Sequence, residues 1–179
     1  MQRTYHLTPT ESVSVRQHSP EALVVEAEYA PRGSPPPPHF HPAQDERFEV
    51  LSGTLHTVVD GKARTLEAGE TLDIPRGAVH RLWNASDDIP ARVIWRTLPA
   101  GRTLQWYAGL EAVHREGPMG KHGRPGPLAL AMLLRQYRDA IRLSQRPRFL
   151  VGAGLALLAA FGRLRGRRLP AGDAPIASY

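Results

Sequence analysis

The sequence predicts an all-β barrel or sandwich followed by a helical extension, and three observations carry that prediction. From about Ser12 to Leu98, short apolar runs are punctuated by Gly, Pro and Asp, the pattern of many short strands joined by tight turns. After Pro99 the apolar spacing changes from two residues to the helical repeat. The charge balance changes at the same place. Residues 1–100 hold 10 Arg/Lys and 13 Asp/Glu, whereas residues 101–179 hold 13 and 4, so the net +6 joins a mildly acidic half to a strongly basic one.

Taken in order, Ala22 to Tyr29 alternates in part and ends before Pro31, and Phe48 to Leu51 and Thr54 to Val59 follow. Asp60-Gly61 is a strong two-residue hairpin signal. Ala63 to Leu66, Thr71 to Ile74, Val79 to Trp83 and Ala91 to Thr97 complete the strand series. Gly53, Gly69 and Gly77 suit turns that need positive φ or close backbone approach, and Pro75 suits a strand end. The run Pro35 to Pro38 predicts a stiff, extended entry into the barrel.

Past Pro99, Thr103 is placed to cap a helix over Leu104, Tyr107 and Leu110. Gly117 to Pro127 is a loop rich in helix breakers. Leu130, Leu134, Tyr137 and Ile141 predict one stripe of a second helix, with Arg135, Arg138, Asp139 and Arg142 on its other side. Phe149 to Gly162 is uncharged over 14 residues, shorter than the roughly 17–25 apolar residues of a membrane span. Its flanking arginines permit contact with a membrane surface through residues 149–168, but packing on the barrel or on a second subunit is the favoured reading. The expected organisation is a barrel over residues 1–100, a helical extension over 101–168 and a disordered tail over 169–179.

Composition narrows the function classes. There is no cysteine, which excludes disulfides, zinc–thiolate sites and thiol catalysis. The first residues show no apolar leader, and a cytoplasmic protein is the expectation. No aromatic–basic platform or recognition-helix pattern accompanies the basic half, so nucleic acid is not an expected partner.

The chemistry is concentrated in two segments. The first, from Gly33 to Gly53, reads G-x5-H-x-H-x4-E-x6-G and supplies His39, His41 and Glu46. The second, from Gly69 to Asn84, reads G-x5-P-x-G-x2-H-x3-N and supplies His80. Two imidazoles one residue apart on an extended strand share a face. Glu46 is expected to return to that face after a local irregularity, and His80 must come from another strand. Three imidazoles and a carboxylate, with no thiolate, suit a divalent first-row metal with open coordination positions.

Both segments, 15 residues apart between Gly53 and Gly69, closely resemble the two motifs of the cupin superfamily, with no departure at any fixed position. The resemblance covers roughly residues 30 to 98 and implies a small antiparallel jelly-roll barrel that forms a homodimer. It also implies that His39, His41, Glu46 and His80 hold one divalent ion (Fe, Mn, Ni, Cu or Zn), with Glu46 able to act as a general base when it loosens from the metal. Strand alternation adds Phe48, Val50 and Leu82 as an apolar wall on the ligand side, with Trp95 as a further pocket candidate; His56 has no matching context but sits on a barrel strand. The leading expectation is an oxygenase similar to the quercetin dioxygenase-like cupins, acting on a small anionic, enolic or aromatic metabolite. Isomerase and decarboxylase activities are weaker enzyme alternatives. The alternative of another class is a non-catalytic sensing module whose basic helical tail contacts a partner or membrane surface.

Overall fold

The computed structural model describes residues 3–116, 126–144 and 148–169, with side chains omitted at Glu116 and over 148–152. Eleven strands and three helices are present among them. In chain order the strands of the barrel are β1 (Thr4–Thr8), β2 (Glu11–His18), β3 (Leu23–Tyr29), β4 (His39–Phe40), β5 (Asp45–Ser52), β6 (Thr54–Val59), β7 (Lys62–Glu67), β8 (Thr71–Ile74), β9 (His80–Trp83) and β10 (Ala91–Leu98). Helices α1 (Thr103–Glu116) and α2 (Pro127–Gln136), the short strand β11 (Arg142–Leu143) and helix α3 (Arg148–Leu164) follow. Two antiparallel sheets face each other, one in the order β1-β2-β3-β10-β5-β8 and the other β11-β4-β9-β6-β7. This is the jelly-roll arrangement that the motifs imply.

The core lies between the sheets, because alternate residues of each strand turn inward. On β5 the inward set is Glu46, Phe48 and Val50, and on β10 it includes Val93 and Thr97, all at most 2% exposed. Opposite them, Leu55 and Leu66 pair across β6 and β7 and are fully buried. Each such apolar side chain contributes about 1.5–3 kcal/mol by leaving water. The turns are built as their residues dictate. Asp60 and Gly61 both have positive φ, 47° and 82°, the geometry of a two-residue hairpin turn whose twist matches its strands. Gly53 has φ 72°, and a Cβ there would lie 2.4 Å from the Pro90 carbonyl oxygen, so only glycine fits.

The chain beyond Leu98 returns to the barrel. Gln44, buried where the chain passes between β4 and β5, donates from Nε2 to the Ala100 carbonyl at 2.9 Å and to Thr103 Oγ1 at 2.6 Å. That anchors the start of α1 beneath the site. The helix then lies across β1, with Tyr107 and Tyr5 rings 6.5 Å apart. The predicted stripe over Leu130 to Ile141 is corrected in one respect: α2 ends at Gln136, and Arg142 lies in β11. The reason is a competing set of backbone bonds. Ala140 and Ile141 donate to the Tyr137 carbonyl in a tight turn, and Arg142 and Leu143 then pair with Phe40 and His39 of β4. α3 presents Leu157 and Leu164 to solvent at 72% and 86% exposure, while Ala159 is buried and Gly162 lies close to Leu128 and Met132 of α2. Among the described residues no helix is long and apolar enough to cross a membrane. Most of the predicted breaker-rich loop and of the C-terminal tail lies outside the described residues.

Candidate metal centre

His39 lies on β4 and His41 directly follows it, while His80 on β9 is paired with His39 across the ladder. The period of two and this register bring the three rings together. Their centroids are 4.6 Å apart for His39–His80, 5.3 Å for His41–His80 and 5.5 Å for His39–His41. One nitrogen from each lies within 4.8 Å of the others. The other nitrogen is committed in every case. His39 Nδ1 donates to the Pro37 carbonyl at 2.9 Å, His41 Nδ1 to the Ala140 carbonyl at 2.6 Å, and His80 Nδ1 to the Ala78 carbonyl at 3.0 Å. A carbonyl only accepts, so the proton of each neutral ring sits on Nδ1 and the Nε2 lone pair is left for the centre.

Glu46 reaches the cluster by a different route from the one the sequence suggested. It does not return to the face of His39 and His41. Between His41 and Asp45 the chain crosses from the five-stranded sheet to the six-stranded one, so Glu46 faces the histidines from the opposite wall. Its Oε1 is 3.3 Å from His41 Nε2, and its Oε2 is 3.0 Å from His80 Nε2. The indole N–H of Trp95 donates to Oε1 at 3.0 Å.

The electrostatics of the cluster favour a cation. Burial pushes the Glu46 carboxyl up, but the surrounding imidazoles and the His80 hydrogen bond together hold it below the usual glutamate range. Burial likewise pushes His80 down, and the hydrogen bond and charge of Glu46 outweigh it, leaving His80 raised. His39 is driven by burial, with help from His80 and His41, down to about 3 and is neutral. With Nδ1 given to Ala78, His80 can donate to Glu46 only as an imidazolium. His41 Nε2 is buried without a hydrogen-bond partner, which is costly unless a further group satisfies it. The donor set therefore fits a divalent first-row ion that replaces one proton.

The site opens on a cavity of about 420 Å³. Phe48, Leu82 and Trp95 line it as expected from strand parity, together with Pro36 and Pro37 of the proline run. Val50 shares their face but packs in the core beyond Phe48, against Val93, and is not part of the cavity wall. His56 stacks on Trp83 with centroids 5.8 Å apart and accepts the Ala85 N–H, and it stays out of the cavity wall. The helical extension supplies Tyr107, Leu110, Leu134 and Ile141. Two contributors escape sequence reasoning: the Ala140 carbonyl, because a backbone oxygen has no sequence signature, and the indole N–H of Trp95 as the partner of Glu46. Tyr29 and Glu11 also line this cavity.

Residues 25–96 match the family described as a cupin domain. That segment is a cupin domain. The chain resembles the tetracenomycin polyketide synthase protein TcmJ of Streptomyces glaucescens, 36% identical over 61 residues, covering 34% of this chain and 40% of that protein. It is also similar to germin-like protein 12-2 of rice (Oryza sativa subsp. japonica), 38% identical over 77 residues, 37% of this chain and 33% of the relative. The probable oxidoreductase patJ of Aspergillus clavatus is 38% identical over 80 residues, 42% of this chain and 24% of its own length. The matched segment thus spans less than half the length of these curated relatives. Among solved structures, KdgF from Halomonas sp. superposes with a TM-score of 0.51 at 22% identity, over 57% of this chain and 92% of that one. An RmlC-like cupin from Shewanella frigidimarina gives 0.51 at 18% identity, over 57% and 88%.

Proposed function

We propose that this cupin is a mononuclear metal enzyme in which His39, His41, His80 and Glu46 hold one divalent ion, and that it acts as an oxygenase on a small enolic or phenolic metabolite. The observation that carries the reading is the common anchoring of the three Nδ1 atoms, which fixes three Nε2 lone pairs on one point facing a carboxylate. Glu46 cancels one charge of a divalent ion, so a bound ion supplies a centre of about one positive charge that draws an anionic oxygen donor, and with Fe, Mn, Ni or Cu supplies electron chemistry with O₂. The remaining work belongs to the chain. Phe48, Leu82 and Trp95 provide apolar walls that exclude water and hold a flat ring. Trp95 orients Glu46, whose carboxylate takes the proton from a substrate hydroxyl as that oxygen enters the site. The resemblance to a protein described as a probable oxidoreductase supports the reaction class.

Metal analysis of protein purified without chelator, followed by O₂ uptake with phenols and enols, tests the reading. Near-stoichiometric Fe, Mn, Ni or Cu with substrate-dependent O₂ consumption is expected; a metal-free protein overturns it. A second reading, capture of a metabolite without turnover, draws on α3, whose exposed Leu157, Phe161 and Leu164 lie among Arg163, Arg165 and Arg167 and offer a surface for a partner or a second copy. Saturable ligand binding without O₂ uptake would favour it.

A further inference from the structure

The cavity has a second polar cluster that the metal centre does not use. Glu11 on β2 is paired with Tyr29 on β3, and Tyr29 with Ala91 on β10. The same registers align Val15 with Val25, Val25 with Trp95, and Trp95 with Phe48. Because strand faces alternate with a period of two, Glu11 and Glu46 both belong to one inward face of the six-stranded sheet. Apart from Thr8, that face is otherwise apolar or aromatic near the cavity. A carboxylate on it is out of place unless it has work to do.

Three further observations say what that work is. Tyr29 is hydrogen-bonded through its side chain to Glu11, so the carboxylate is held rather than loose. Tyr107 of α1 lines the same cavity, is 1% exposed, and its buried hydroxyl has no hydrogen-bond partner among the described residues. Glu11, Tyr29 and Tyr107 all line this one cavity, and burial together with the charges of Glu46 and Glu11 pushes the Tyr107 hydroxyl pKa up. One indole spans the two clusters: Trp95 donates to Glu46 and packs against Tyr107 with ring centroids 5.6 Å apart.

We propose that Glu11, Tyr29 and Tyr107 form a second polar station, which receives the far hydroxyl of a ring-bearing substrate whose near oxygens sit at the histidine–glutamate centre. The inference rests on the metal-centre reading above and adds a substrate class to it: fused or extended phenols with oxygens at both ends. Tyr107 donates a hydrogen bond to the substrate oxygen, and Glu11 takes the proton of the substrate hydroxyl as the substrate O–H bond breaks and the carboxyl O–H bond forms. Burial, offset in part by the Tyr29 hydrogen bond, pushes the Glu11 carboxyl up to about 7, which suits such an exchange near neutral pH. The groups facing it are Tyr29 from β3, Tyr107 from α1 and the uncharged Thr8 from β1; His114, further along α1, lines the same cavity.

The test compares two probes, 2,3-dihydroxynaphthalene and 2,3,6-trihydroxynaphthalene, titrated calorimetrically without oxygen into nickel-loaded full-length protein. The third hydroxyl is expected to tighten binding about tenfold or more in the wild type, since leaving the buried Tyr107 hydroxyl unpaired is what the shorter probe does. Glu11→Gln and Tyr107→Phe should each lose most of that gain while keeping the wild-type nickel content. Tyr29→Phe, which removes only the hydrogen bond holding Glu11, should lose part of it. Nickel-loaded wild type that gains nothing from the third hydroxyl, or variants that gain as much as wild type, overturns the station and leaves the metal centre standing. Wild type that takes up no nickel overturns the metal centre, and the station as stated falls with it.

Discussion

The two walls of the cavity solve opposite problems. The five-stranded sheet presents three imidazoles, each pinned through Nδ1 to a carbonyl of the main chain, so its donors are aimed by the backbone itself. The six-stranded sheet presents carboxylates among apolar and aromatic neighbours, and its charges are set by side chains: Trp95 for Glu46 and Tyr29 for Glu11. A wall oriented by carbonyls is fixed before any ion arrives. A wall whose charges depend on single side chains can be tuned by single substitutions. The difference teaches where this site should tolerate change and where it should not.

The largest effect should come from stripping the rigid wall. The combined His39→Ala, His41→Ala and His80→Ala variant should contain no metal when purified beside a near-stoichiometric wild type, as read by elemental analysis; equal metal in both would place the ion elsewhere. On the tunable wall, Trp95→Phe keeps the ring but removes the N–H that holds Glu46. Competition with a chelator should show metal affinity reduced about 10–100-fold, with the protein still folded by circular dichroism. An unchanged affinity would mean that Glu46 needs no such support.

The pH dependence sharpens the same contrast. His80 is raised by Glu46, so its proton is bound in the metal-free protein below that raised pKa and must leave as the ion enters. Metal affinity should therefore fall by up to about tenfold per pH unit as pH drops below the raised His80 pKa, with about one proton released per ion in that range. His39 contributes nothing to that slope until about 3. Because its folded value lies below the ordinary histidine value, the unfolded chain binds more protons in between, and its neutral burial costs stability as pH falls from about 6.5 to 3. Two metals-per-pH slopes, or none, in the chelator competition would contradict the single-proton account.

Smaller effects lie outside the walls. Thr103→Val removes one partner of buried Gln44, and chemical denaturation should report a loss of about 1–3 kcal/mol with metal affinity unchanged. Leu157→Gln on the exposed face of α3 should change stability by less than about 0.5 kcal/mol; a larger loss would mean that this face is covered in solution.

The legibility of the sequence divides along the same line. The hairpin at Asp60-Gly61, the strands from Leu23 to Leu98 and the gathering of His39, His41 and His80 follow from turn chemistry and strand parity, which are local rules. The arrival of Glu46 from the opposite wall was hidden, because a chain crossing within the four residues after His41 looks the same in sequence as a bulge. β1 and β11 were hidden by being short and polar, and β4 by having only two residues. Ala140 was hidden because its contribution is a carbonyl. Glu11 was legible in principle: it shares parity with Val13 and Val15, and a carboxylate in step with two inward valines is the signal that marks it.

The most direct test of the central claim is the histidine nitrogen spectrum of uniformly ¹⁵N-labelled protein, recorded metal-free and after one equivalent of zinc. The account predicts Nδ1–H resonances for His39, His41 and His80 in both states, with zinc shifting the three Nε2 signals and leaving Nδ1 protonated. Zinc that shifts Nδ1 instead, or that leaves all three rings unchanged, would contradict a centre aimed by the backbone carbonyls.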